Sequence, residues 1–271
     1  MLIKPGRSSG NLIDRRGGRG GRGGRVGLGL GGLGLGGLVV VLIAAFFGLP
    51  VDQFLGGGGA ATGPVETTPS APQDEASQVV DAVLASTEDV WGALYRQTGD
   101  VYPEPNLVLY EGATPTGCGY GQAATGPFYC PSDQTVYLDL SFFRQLAALG
   151  ARGDFPLAYV IAHEIGHHVQ NVEGLLGRSR SNAMSVQTEL QADCLAGVWA
   201  HYAQDEGGAV QLDDADIEEG ISAAAAVGDD RLQERAGGVV RPESFTHGSS
   251  RQRAEAFLAG YQGGDYAVCF R

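Results

Sequence analysis

Lysine is nearly missing from this 271-residue chain: Lys4 is the only one, and residues 26–271 contain none. Residues 1–25 hold seven of the 18 basic residues against a single acid, Asp14, for a net of +6. The remainder carries −19, and the two together give the formal −13. Binding to nucleic acid depends on clustered Lys and Arg that neutralise phosphates, so a nucleic-acid-binding body is excluded. No internal repeat is present, which removes solenoids and propellers. Cysteine is scarce too, with four residues and no C-x-x-C pair, so a thiolate zinc site fails on spacing.

Charge is absent between Arg25 and Asp52, and 26–49 is an apolar stretch of 24 residues, enough to cross a hydrocarbon core of about 30 Å as a helix. Eight of those residues are Gly, so the strongly apolar part is 38–47. We read 26–49 as one retained transmembrane anchor, with a cleaved signal peptide as the rival. The positive-inside bias then keeps the Arg-rich flank (Arg15, Arg16, Arg19, Arg22, Arg25) in the cytoplasm and exports everything after Pro50. The expected organisation is a basic Gly/Arg-rich tail over 1–25, the anchor over 26–49, a flexible linker over 50–73 and a folded domain over 74–271. In an exported domain, four cysteines favour two disulfides. Of the three connectivities, Cys118 with Cys130 and Cys194 with Cys269 is the expected one.

Apolar spacing of three and four from Val79 to Tyr95 predicts a helix ending near Gly99. Two β-rich runs follow, 106–110 and 135–140, and then Asp154-Phe155-Pro156, which reads as a helix start with Asp154 as N-cap. That helix runs to about Gln170, a second covers 186–202, and two weaker ones cover 213–226 and 249–260. Helices dominate around a small sheet, an α+β order of elements.

The central helix contains His163-Glu164-Ile165-Gly166-His167. Residues four apart differ by about 40° in azimuth, so both imidazoles can face one metal ion, while Glu164 is placed to take a proton from a water. A catalytic zinc site commonly has three protein ligands and one open position. Glu189 and Asp193 share a face of the second helix. We assign Glu189 as third ligand and Asp193 as the carboxylate that holds a ligand histidine, His163, by its other ring nitrogen. Glu173 occupies the place of the last metzincin His, but Gln170 stands where that pattern needs Gly. His201 and His168 read as packing or surface residues. His247, ahead of the last helix, is the candidate donor to a reaction oxyanion, with Arg253 orienting it or binding a nearby carboxylate.

The segments 163–170 (HEIGHHVQ) and 189–199 (ELQADCLAGVW), with 126–133, 136–140 and 245–248, resemble the neutral zinc metallopeptidase family of bacteria, whose members are typically membrane-anchored. More distantly, HExxH, then ExxxD, then a His with Arg six later is similar to the gluzincin clan. The resemblance implies a zincin-like domain in which a small sheet precedes the HExxH helix, one Zn2+ bound by His163, His167 and Glu189, and His247 assisting the transition state. It implies peptide-bond hydrolysis of a protein or peptide substrate, as an endopeptidase, with Glu164 as general base. From the same likeness, the strand at 135–140 is expected to offer its edge to the substrate. Two other readings stand beside it: a non-catalytic zinc domain tethered to the membrane as a scaffold or binding module, and a hydrolase of cell-wall amides.

Overall fold

Asp74 adopts an extended conformation and accepts from the Ser77 N–H while Ser77 Oγ accepts from the Asp74 N–H. This reciprocal cap opens helix α1, Glu75–Thr98, and Gly99 at φ 87° closes it. The computed structural model describes residues 1–4, 7–16, 68–72, 74–151, 153–177, 181–204 and 208–271. One face of α1 buries Val80, Val83, Leu84, Trp91 and Leu94. Asp81 and Glu88 are buried as well, which an apolar face does not account for.

Those two acids meet the N-terminal residues. Strand β1 (Leu2–Ile3) pairs antiparallel with β8 (Val210–Gln211), and β2 (Leu12–Asp14) pairs parallel with β3 (Asn106–Tyr110). The expectation of a tail over 1–25 is therefore corrected for 1–4 and 7–16, which belong to the fold, and the folded unit is larger than 74–271. Leu12 and Ile13 are in the core. The expected anchor at 26–49 lies outside the described residues. Among the described residues no helix is long and apolar enough to cross a membrane.

The four-stranded sheet has the order β2-β3-β7-β6, with β7 at Thr135–Asp139 parallel to β3 and β6 at Phe128–Cys130 antiparallel to β7. Alternation along the strands sends Leu107, Leu109, Val136 and Leu138 into the main core. Val108, Tyr110 and Tyr137 form a smaller cluster on the other face with Ile13 and Cys130. The expected edge strand at 135–140 is thus internal, and the edge is β6. A hairpin of β4 (Ala113–Thr116) and β5 (Gly119–Gln122) precedes β6, and the Cys118–Cys130 disulfide ties its tip to that strand.

After β7 come a short helix α2 (Ser141–Ala148), the central helix α3 (Phe155–Val172) and α4 (Asn182–Tyr202). Helices α5 (Asp214–Ala226), α6 (Asp229–Arg235) and α7 (Ser250–Gly263) complete a mixed α+β architecture. Asp154 does not cap α3 with its side chain as expected. Its carboxylate accepts from the Met1 ammonium at 3.0 Å, beside Asp216 at 2.6 Å. Helices α4 and α7 cross in backbone contact. A Cβ added to Gly197 would lie 1.9 Å from the Phe257 carbonyl oxygen, and one on Gly260 1.9 Å from that of Cys194. The second expected disulfide, Cys194–Cys269, fixes the C-terminus to α4 at the same place.

Candidate metal centre

Helix α3 starts with Pro156 in its first turn, where a missing N–H costs nothing, and carries His163 and His167 one turn apart. Their rings lie 4.7 Å apart between centroids and nearly perpendicular. Ser181 caps α4, whose packing against α3 at Gly166 brings Glu189 to the histidines. Glu189 Oε2 is 3.2 Å from His163 Nε2 and Oε1 is 3.6 Å from His167 Nε2. One ligand atom from each of the three residues lies within 4.8 Å of the others.

The other ring nitrogens are already committed. His163 Nδ1 meets Asp193 Oδ1 at 2.8 Å, and His167 Nδ1 meets Gln170 Oε1 at 2.8 Å. Both acceptors favour the Nδ1–H tautomer, so both Nε2 lone pairs point to the shared space. Burial works against the Glu189 charge, but the positive charge that His167 and His163 carry when Nε2 is protonated outweighs it and holds that carboxyl well below its usual range, and a cation in the shared space would take the place of those protons. Two imidazole nitrogens and one ionised carboxylate form a donor set that fits zinc with a position left for a reactant. A second acidic group, Asp154, Asp216 and Glu219, also converges, but the Met1 ammonium bonds two of its members.

Asp193 is fully buried and fully engaged. Arg253 Nε donates to Oδ2 at 2.8 Å and Nη2 to Oδ1 at 3.0 Å, while the Tyr159 hydroxyl donates to Oδ1 and accepts from Arg253 Nη2. Burial raises the carboxyl pKa, yet the Arg253 charge and His163 bring it to about 2. A buried carboxylate with this many donors stays ionised without an orphaned charge. Gln170 is equally enclosed: its amide donates to the Thr188 carbonyl at 2.8 Å and to Gln191 Oε1 at 3.0 Å. His163 is thus held by an anion and His167 by a neutral amide.

Glu164 is buried beside His163, His167 and Glu189. Burial pushes its pKa up, and the two histidines and the Tyr129 backbone N–H act in the opposite direction. Tyr129 lies on β6, so the sheet edge reaches the carboxylate. His247 is positioned by Asp229, the first residue of α6. Asp229 Oδ2 accepts the N–H groups of Thr246, His247 and Gly248, and Oδ1 meets His247 Nδ1 at 3.2 Å. Burial lowers the His247 pKa, but Asp229 and the Glu189 charge raise it overall, which favours an imidazolium.

The structure therefore gathers His163, Glu164, His167, Glu189, Asp193, Arg253 and His247 around one centre. Arg253 grips Asp193, and Asp229 holds His247. The other candidates lie elsewhere. Glu173 accepts from the Tyr95 hydroxyl, His201 Nδ1 meets the Tyr261 carbonyl, and His168 lies between Tyr129 and the Pro103 carbonyl. Burial takes the His168 pKa down to about 4, so it is a neutral packing residue. Sequence reasoning missed Tyr159, Gln170 and Asp229 as supports. Tyr159 and Gln170 carry a signal, at four before His163 and three after His167 on the same helix face. Asp229 carries none, being 18 residues from His247.

An N2O centre with a neighbouring buried carboxylate defines a zinc hydrolase class, and comparison with known proteins gives the family. The chain belongs to the family described as "Putative neutral zinc metallopeptidase", whose model matches residues 1–270. It is 46% identical over 279 positions to the uncharacterized protein YpfJ of Escherichia coli K12, covering 97% of this chain and 96% of that one. It is also 43% identical over 209 positions to the uncharacterized protein Rv2575 of Mycobacterium tuberculosis, covering 72% and 71%. No solved structure matches.

Proposed function

We propose that this protein is a zinc-dependent endopeptidase in which Glu164 is the general base and His247 the donor to the oxyanion. The observation that carries the reading is the pairing of a buried carboxylate, Glu164, with two histidines whose Nδ1 atoms are already bound to Asp193 and Gln170. A closed structural site would have four protein ligands and no use for that carboxylate.

One zinc ion held by His163, His167 and Glu189 would supply Lewis acidity, acidifying a water and polarising the scissile carbonyl. Glu164 accepts the proton of the attacking water and returns it to the departing amine, a cycle suited to a carboxylate whose pKa is raised by burial. His247 keeps Nδ1–H on Asp229 and, as imidazolium, directs Nε2–H to the developing oxyanion. Asp193, Tyr159 and Arg253 keep the His163 ring from turning. The edge position of β6 supports the endo reading, because a peptide added along it by strand pairing can continue on both sides of the scissile bond.

The test is a digest of a broad peptide library with the full chain, with and without chelator. Internal cleavage that stops on chelation and returns with zinc is expected. Chelator-insensitive cleavage, or none across the library, overturns the reading.

A further inference from the structure

Residues 7–16 are built into the four-stranded sheet and against helix α1. The Ser9 backbone N–H donates to Asp81 Oδ1 at 3.1 Å, and Ser9 Oγ donates to Glu88. Asn11 Nδ2 donates to the same Glu88 oxygen at 2.8 Å, and the Arg7 guanidinium binds the other Glu88 oxygen and Asp89. Glu88 is 2% exposed. Burial raises its pKa, and the groups that offset this, Ser9, Asn11 and Arg7, come from the N-terminal segment, with Glu104 adding to the rise. Leu12 pairs with Leu107 and Ile13 with Val108, and the Arg15 N–H donates to the Leu109 carbonyl at 2.8 Å.

The chain leaves this strand and comes back to it. Ser70 N–H donates to the Leu12 carbonyl at 2.8 Å, Asp14 N–H donates to Ser70 Oγ at 2.7 Å, and Arg16 binds both Asp14 and Asp74. The residues on either side of 17–67, Leu12, Asp14 and Arg16 before it and Ser70 and Asp74 after it, therefore stand next to each other on the same folded unit. The family's match also begins at residue 1, so this segment belongs to what the family shares.

We infer that residues 7–16 and the candidate metal centre lie on the same side of any membrane the chain meets. Paired strands are about 4.8 Å apart, whereas a hydrocarbon core is about 30 Å thick, so β2 cannot pair with β3 across it. A single crossing by 26–49 is incompatible with this fold. Two crossings, or none, are compatible. Arg15 and Arg16, which the charge bias assigned to the opposite face, are here joined to Leu109, Asp14 and Asp74. The inference is independent of the proposed peptidase activity.

Two single-cysteine variants of the full chain test it: Gly10→Cys, where an added Cβ meets no atom within 4 Å, and Val101→Cys, at a residue 88% exposed. Intact cells are treated with a membrane-impermeant maleimide before and after lysis, and labelling is read above that of the parent chain, whose four cysteines are bridged. The expected result is that both positions label before lysis, or both only after it. Labelling of one before lysis and the other only after overturns the inference. A mature chain found by mass spectrometry to lack Gly10 overturns it too.

Discussion

At one edge of the four-stranded sheet, β2 brings Leu12 and Ile13 into the core and is flanked by charges paired with α1. At the other, β6 places Tyr129 beside Glu164, and among the described residues no strand covers its outer side. An open edge invites association with other chains, and proteins normally cover or blunt it. Here the chain covers one edge with its own N-terminal segment and keeps the other, braced by the Cys118–Cys130 disulfide, next to the candidate site. On the proposed reading the β2 edge serves stability and the β6 edge chemistry, two quantities that mutation can separate.

The hardest test of that separation is at Glu164. Glu164→Gln is expected to lower kcat by on the order of 10² to 10⁴-fold while metal analysis still finds one zinc per chain and the melting temperature holds. Retained turnover removes Glu164 as the base. The opposite signature is expected at Leu12: Leu12→Ala costs about 2–5 kcal/mol of unfolding free energy in denaturant titration, with kcat per folded molecule unchanged. A drop in kcat without loss of stability there would erase the distinction between the edges.

Smaller effects sharpen it. Gln170→Ala frees the His167 ring and is expected to weaken zinc affinity by about 10–100-fold in a competition titration with a chelating dye. The smallest effect belongs to Asp74 at the helix start, where the Ser77 N–H and then Arg16 hold the carboxyl at about 2. Because the folded value lies below the usual 3.8, its contribution is fully present above that value and fades as pH falls towards 2. Asp74→Asn should flatten that stretch of the stability profile, with a small loss of stability at neutral pH that disappears as the pH approaches 2.

Much of the site was legible because it is local. HExxH, Glu189 and Asp193 lie at helical spacings, and helical spacing fixes which side chains share a face. The long helices were legible for the same reason, and their observed ends fall close to the expected ones. The edges were not. Leu12-Ile13-Asp14 is too short for a period, its partner strand begins at Asn106, and the surrounding Arg and Gly suggest a membrane flank more strongly than a strand. Likewise β6 has three residues, so the longer β7 looked like the edge until pairing placed β6 outside it. Asp229 reaches His247 only because the connection over 236–249 folds back on the start of α6, which no pattern in the intervening residues announces.

The crossing of α4 and α7 has a consequence for the dimensions of the centre. Asp193 and Arg253, which together steady His163, ride on these two helices, and the gap between the helices is set by main-chain atoms at Gly197 and Gly260. Main-chain atoms have no rotamers with which to yield. A single methyl group at either glycine would move a whole helix by about an ångström, a misplacement that can cost an active site about 100-fold. The geometry around the candidate metal ligands is therefore gauged by two residues that have no side chain.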